Sequence, residues 1–135
     1  MNYWLMKSEP DVFSYDDLVK NKKEKWDGVR NYQARNNLRA MQKGDLALFY
    51  HSNIGKEVVG VMEIVKAAYP DPTTDDDRWV CVDVSPKKKL KNPVTLEKIK
   101  QTESLQEIPL IRHTRLSVMP VTKEEFDEIV RLGND

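Results

Sequence analysis

The spacing of apolar residues changes period several times along the chain, and each change predicts an element. Asn2 to Met6 is a nearly continuous apolar and aromatic run, a short strand ended by Lys7-Ser8-Glu9-Pro10, because the residue before a proline is pushed towards extended geometry. The period then becomes helical. Tyr15, Leu18 and Val19 share one face and Ser14 with Asp17 has capping-box spacing, which predicts a helix over about Tyr15 to Lys20. Asn31 opens a second helix in which Ala34, Leu38 and Met41 recur as a core stripe. Arg35 and Arg39, four apart, fall on a neighbouring face, and the helix is expected to stop around Lys43-Gly44.

Three strand-like stretches follow at Asp45 to His51, Val58 to Lys66 and Trp79 to Val84. Val58 to Val65 is apolar at almost every position, so it reads as buried on both faces, with Gly60 a bend or a point of close approach. Tyr69 to Thr73 is turn-rich, and Pro93-Val94-Thr95 leads into a helix capped by Thr95 and continuing through Ile99. A strand over about Arg115 to Met119 precedes Pro120. In the last helix Thr122 and Glu125 form a capping box, Phe126, Ile129, Val130 and Leu132 make the buried stripe, and Gly133 is expected to stop it. Short strands interrupted by helices, without regular βαβ alternation, predict an α+β fold built on a small barrel-like sheet. The 5 glycines form neither G-x-G-x-x-G nor a P-loop, which disfavours a dinucleotide-binding domain.

Composition narrows the class. The 135 residues suit one domain, 1–135, with 33% charged and 39% hydrophobic residues. No apolar run is long enough to span a bilayer, and the start meets charge too early for a signal peptide. With one cysteine, Cys81, no internal disulfide forms, so the expected compartment is the cytoplasm, or the nucleus in a eukaryote. The 22 basic residues are matched by 22 acidic ones, so nucleic acid is not held by bulk charge and any contact is local. The basic runs Lys20 to Lys25 and Lys87 to Lys91 and the acidic run Asp71 to Asp77 each read as solvated loops.

The segment Trp26-Asp27-Gly28-Val29-Arg30-Asn31-Tyr32-Gln33-Ala34-Arg35 concentrates the candidate chemistry. It holds a flat aromatic ring, a glycine that lets backbone approach a ligand or take positive φ, two guanidinium groups, and a helix start whose free N–H groups favour an anion. That set suits a base and its phosphate. Trp4 and Trp79, inside apolar strands, read as core, and Cys81 as a small buried hydrophobe. His51 and His113 have no partners at metal-ligand spacing, so no metal site is expected, nor any cofactor.

The strings WLMKSEPDVFSYDDL, WDGVRNYQARNNLRAM, GDLALFYHSN, VVGVMEIVKAAYPDPT, WVCVDV, PVTLEKIK and RLSVMPVTKEEFDEI resemble, in order and over nearly the whole chain, the EVE domain family, which includes the thymocyte nuclear proteins. The resemblance implies a PUA-like β pseudobarrel with flanking helices. More remotely, Lys7-Ser8 and Trp26 are similar to counterparts in YTH domains, which read methylated adenine in RNA with that tryptophan as one wall of an aromatic cage. The function implied is a module that binds DNA or RNA, or a nucleoside, through a modified base such as a modified cytosine or adenine.

On that reading Trp26 stands open at a cleft and stacks on the base, with Gly28 and Val29 beside it. Lys7, Ser8, Tyr50, His51, Ser52 and Asn53, at strand ends, converge on Trp26, and Ser117 with Arg115 forms a further lip. Arg30, Arg35 and the amides after Asn31, at Tyr32 and Gln33, hold the phosphate, with Arg115 joining them. Against this, a lone tryptophan is more often core, Lys7 and Glu9 equally read as a surface ion pair, and Arg112 and Arg115 as ordinary surface arginines. A hydrolase acting on a modified nucleoside ranks second, because some PUA-like hydrolases use a lysine, threonine and glutamate. Lys7 and Glu9 imitate that set only in part, with Ser8 in place of the threonine and adjacent strand residues pointing to opposite faces. No catalytic residue is assigned, and a monomer without membrane contact is expected. A third reading, a protein-binding adaptor, rests only on the charged runs as docking surfaces.

Overall fold

The structure, a computed structural model, describes residues 1–134. Among them six strands form one mixed sheet: β1 (Tyr3–Ser8), β2 (Glu24–Trp26), β3 (Leu46–His51), β4 (Glu57–Pro70), β5 (Val80–Thr95) and β6 (Val118–Val121). The order across it is β2-β5-β4-β3-β1-β6, with β1 parallel to β3 and the other pairings antiparallel. Five α-helices accompany it: α1 (Tyr15–Asn21), α2 (Tyr32–Ala40), α3 (Leu96–Gln101), α4 (Pro109–Arg112) and α5 (Lys123–Asn134). The expected α+β pseudobarrel is found, but hydrogen bonding does not close it, since β2 and β6 end the sheet. Helix α2 packs against β4, β5 and β6, and its buried Ala34 and Leu38 thus help to seal the interior that the open sheet leaves. No described helix is long and apolar enough to cross a membrane.

The strongest local signals hold at residue level. Ser14 accepts from the Asp17 amide while the Asp17 carboxylate accepts from the Ser14 amide, and Thr122 and Glu125 repeat the exchange at the start of α5. Asn31 caps α2 by accepting from the Ala34 amide at 2.9 Å. Gly60 is a point of close approach: a Cβ there would lie 2.5 Å from Cζ of the buried Tyr15 ring, whose hydroxyl donates to the Val61 carbonyl at 2.8 Å. The register on both sides of β4 shifts at this point, which bends the strand.

Boundaries move where tertiary pairing decides. β1 runs on through Lys7 and Ser8, because both pair with β3, opposite Tyr50 and His51. α2 stops at Ala40, as Met41 turns extended. β4 and β5 form a hairpin far longer than expected. Lys88 and Lys89, read as part of a loop, lie opposite Val61 and Gly60, while Leu90 is buried. Gly133 does not stop α5. It lies within the helix, and its missing side chain admits Leu90, whose Cδ1 would be 2.7 Å from a Cβ. Strand β2, the turn of 3-10 helix Glu103–Leu105 and α4 have no counterpart in the sequence reading.

Candidate nucleic-acid interface

A cavity of about 380 Å³ opens between the ends of β1 and β2, large enough for a small ligand, since such pockets start at about 300 Å³. One side comes from Lys7 and Ser8 at the end of β1 with Val12 and Phe13 after it, the other from β2 with Asp27. Phe49 on β3 lies beneath, its ring centroid 5.4 Å from Trp26 and 6.1 Å from Phe13. Trp26 and Phe13 meet almost at right angles, with centroids 6.4 Å apart, so they form a corner.

Trp26 is not the open ring that the sequence suggested: it is 8% exposed. Pairing of β2 with β5 and the rings of Phe13 and Phe49 cover most of it. Its indole N–H has no partner among the described residues. No buried polar side-chain atom is left unsatisfied there, so this donor borders accessible space. Trp4 differs, being core as expected, with its N–H spent on buried Asp45 at 3.1 Å.

The polar groups around the cavity are partly spoken for. Lys7 Nζ donates to the Thr114 carbonyl at 2.9 Å, and burial pushes its pKa down. No ion pair joins it to Glu9 among the described residues, and Glu9 does not line the cavity. The Ser8 hydroxyl donates to the Phe13 carbonyl at 2.5 Å, which fixes Phe13 in place and leaves that oxygen only its lone pairs to offer. Lys7, Ser8 and Glu9 thus do not gather as a hydrolytic set. Burial, then the charges of Asp71 and Glu24, push the Asp27 carboxyl up, so this acceptor is held in an electronegative lip.

The residues after β3 go elsewhere. Tyr50 is buried, and burial followed by the Glu57 charge pushes its hydroxyl up to about 12. His51 accepts from the Tyr15 amide at 3.1 Å through Nε2, serving the start of α1, and burial lowers its pKa. The Ser52 amide donates to the Ser8 carbonyl, and Asn53 has φ of 68° in the turn that joins β3 to β4. Ser117 meets Lys7 only through backbone, its carbonyl accepting from the Lys7 amide. None of these five lines the cavity.

Gly28 and Arg30 are organised by a residue that the sequence hid. Asp71, read as part of a solvated acidic loop, is 2% exposed. Its Oδ2 accepts from the Gly28 amide at 2.8 Å and from Arg30 at 3.1 Å, and its Oδ1 from the amide and hydroxyl of Thr73 at 2.8 and 2.6 Å. Burial alone raises its pKa, but these donors outweigh burial and hold the carboxyl down at about 2. Gly28 meets this bond with φ of +76°, which a residue with a side chain rarely adopts. Val29, between them, is core.

A second cavity, about 320 Å³, lies at the start of α2 between Asn31 and Gln33 on one side and His113, Thr114 and Arg115 on the other. The amides of Tyr32 and Gln33 and the Arg115 guanidinium have no partners among the described residues. The two cavities are neighbours, because the Lys7 ammonium that lines the first is bonded to Thr114 of the second. Arg35 and Arg30 lie on the far flank of the α2 start, over the Trp79 ring at 5.9 and 5.6 Å. Trp79, expected in the core, is buried outside the main hydrophobic cluster under these arginines and Tyr32. No three histidine, cysteine or carboxylate side chains among the described residues are placed to hold a metal.

An EVE domain model matches residues 2–132. Thymocyte nuclear protein 1 of Mus musculus is 43% identical, over 97% of this chain and 73% of that protein. The crystal structure of human THYN1 protein in complex with 5-methylcytosine containing DNA superposes with a TM-score of 0.91 at 38% identity, covering 100% of this chain and 99% of that one. A YTH domain of Zygosaccharomyces rouxii MRB1 protein, solved with N6-methyladenosine RNA, matches at a TM-score of 0.64 over 99% of this chain and 87% of its own. At 14% identity that is a likeness of fold.

Proposed function

The chain belongs to the EVE domain family, and from that premise we propose that it reads a modified base in nucleic acid, held in the cavity between Lys7, Phe13 and Trp26. The observation that carries this is an aromatic-walled cavity next to a second one built of unpaired donors, joined through the Lys7 to Thr114 bond. Human THYN1, a relative over the full length of the chain, was solved with 5-methylcytosine DNA, which supports the same ligand class here.

The energetics favour two walls over one. Taking a base out of its stack costs a few kcal/mol and one fully open aromatic face returns about 1–3 kcal/mol, so Trp26, 8% exposed, does not suffice alone and Phe13 must add to it. The unpaired indole N–H and the remaining protons of Lys7 offer donors to the base edge; Glu24 and Asp27 offer acceptors. The flanking phosphate goes to the Tyr32 and Gln33 amides and Arg115, contacts that fix register without reading sequence. Arg30, tied to Asp71, serves the loop more than the phosphate. A single domain acting as a monomer, in the cytoplasm or in a eukaryotic nucleus, is part of the same proposal.

The test is fluorescence polarisation over short oligonucleotides, DNA and RNA, with plain and modified cytosine and adenine. Phe13→Ala and Trp26→Ala are expected to lose binding, while Lys87→Ala, which only breaks an exposed pair with Glu63, leaves it within twofold. Circular dichroism checks that the variants fold, with Trp26→Phe standing in where the alanine does not. Equal binding by folded pocket variants and Lys87→Ala rules the cavity out.

A further inference from the structure

On the far side of the α2 start from the base cavity, the rings of Tyr32 and Trp79 stack at 5.1 Å with 31° between their planes. Tyr32 is 53% exposed, a large aromatic left in water at the first position of a helix. It is nevertheless held: Arg78 donates to its hydroxyl at 3.0 Å, the Arg35 guanidinium lies 5.0 Å from its ring centre, and Trp79 backs it. Arg78 itself is tied to Asp76. An aromatic side chain with few rotatable bonds, fixed in this way, has little left to lose on binding.

The charges around it are unequal. Arg30 and Arg78 are each compensated by a carboxylate, Asp71 and Asp76. Arg35 has no carboxylate partner among the described residues; it donates to the Asn36 side chain and the Arg78 carbonyl. The exposed ring therefore sits beside a cation with no carboxylate partner among the described residues, and next in the chain to Gln33, which lines the second cavity.

We propose that Tyr32 is a stacking platform for the nucleobase adjoining the modified one, with Arg35 countering the phosphate on its outer side. This rests on the pocket reading above. The order along a bound strand is then the modified base in the cavity lined by Lys7, Phe13 and Trp26, its phosphate at the Tyr32 and Gln33 amides with Arg115, and the next base on Tyr32. Stacking on an aromatic ring is indifferent to base identity, so the platform adds affinity for single-stranded or unstacked context without adding sequence preference.

The experiment compares two probes, 5-methyl-2′-deoxycytidine and a trideoxynucleotide with thymines flanking 5-methylcytosine, on wild type, Tyr32→Ala, Tyr32→Phe and Phe13→Ala. Tyr32→Ala is expected to weaken the trinucleotide about 5- to 100-fold while leaving the nucleoside within twofold. Tyr32→Phe, which keeps the ring, retains both. Phe13→Ala loses both. Replacing the flanking thymines by abasic sites should cost wild type what Tyr32→Ala costs. Wild-type levels of trinucleotide binding by Tyr32→Ala, or equal loss of both probes, overturns the platform while the pocket stands. Failure of wild type to bind either probe overturns the pocket reading and the platform together.

Discussion

The carboxylate of Asp71 is the sharpest place to test how this site is held, and Asp71→Asn is the perturbation. The aspartate sits just past the end of β4 and takes donors from the Gly28 to Arg30 segment on one oxygen and from Thr73 on the other. Asparagine keeps the shape but has one acceptor oxygen, so its NH₂ must face one pair of donors whichever way it turns. Leaving a buried donor unmatched costs about 1–3 kcal/mol. The ionisation gives a second route to the same quantity. A carboxyl held at about 2 instead of its ordinary 3.8 favours the charged state by about 2.5 kcal/mol, since a tenfold change in ionisation is about 1.4 kcal/mol. Arg30 is partly in water and contributes less than its distance suggests, so the loss should come to about 2 kcal/mol. In urea at pH 7, with a slope near 2 kcal/mol per molar, the midpoint should fall by about 1 M. The sign with pH follows from the depressed value: the aspartate's contribution is complete above the unfolded 3.8 and fades as pH falls through that value towards 2. The gap between wild type and variant should narrow over that window. A midpoint shift below about 0.2 M at pH 7, or a gap that does not change with pH, refutes the claim that a charged Asp71 pins the loop.

Other outcomes follow from separate parts of the molecule. Gly60→Ala forces a methyl into the Tyr15 ring and strains its bond to Val61, so a loss of about 2–3 kcal/mol is expected by thermal or urea unfolding; a loss under 0.5 kcal/mol means the ring has room to move. His51, whose pKa burial lowers against the opposing pull of Glu57 and Asp16, accepts from Tyr15 only when neutral. Its contribution is therefore full above the unfolded value of about 6.5 and declines below it. Melting temperature should drop between pH 7 and 5 more in wild type than in His51→Gln, and parallel curves count against this role. Binding of a modified oligonucleotide should weaken gently with salt, with a log–log slope of roughly −1 to −3 for one to three phosphates; a slope beyond −5 points to a broad basic surface instead.

The legible parts of this molecule were the ones governed by neighbours in sequence. Four helix starts were readable to the residue because a cap is a local hydrogen bond between positions three apart: Ser14 with Asp17, Asn31 with Ala34, Thr95 with Lys98, Thr122 with Glu125. The close approach at Gly60 showed as a missing side chain in an otherwise apolar run. Trp26, Lys7 and Ser8 were singled out from the sequence and line one cavity. Phe13 and Asp71 escaped, one because a phenylalanine before a helix looks like any apolar residue, the other because an aspartate among aspartates looks solvated.

Residue types, caps and turn signals thus determined where α1, α2, α3 and α5 form, that an α+β fold results, and which stretch, Trp26 to Arg35, concentrates the candidate chemistry. The tertiary structure decided the rest: that β2 exists, since three residues with two charges form a strand only when β5 supplies their backbone partners. It decided that the Lys87 to Lys91 run is strand, that His51 serves a helix start, and that Asp71 is buried. A hydrogen bond between residues 43 positions apart, as from Gly28 to Asp71, leaves no periodic trace in the chain, because its energy depends on where the sheet bends and not on what stands next to either residue.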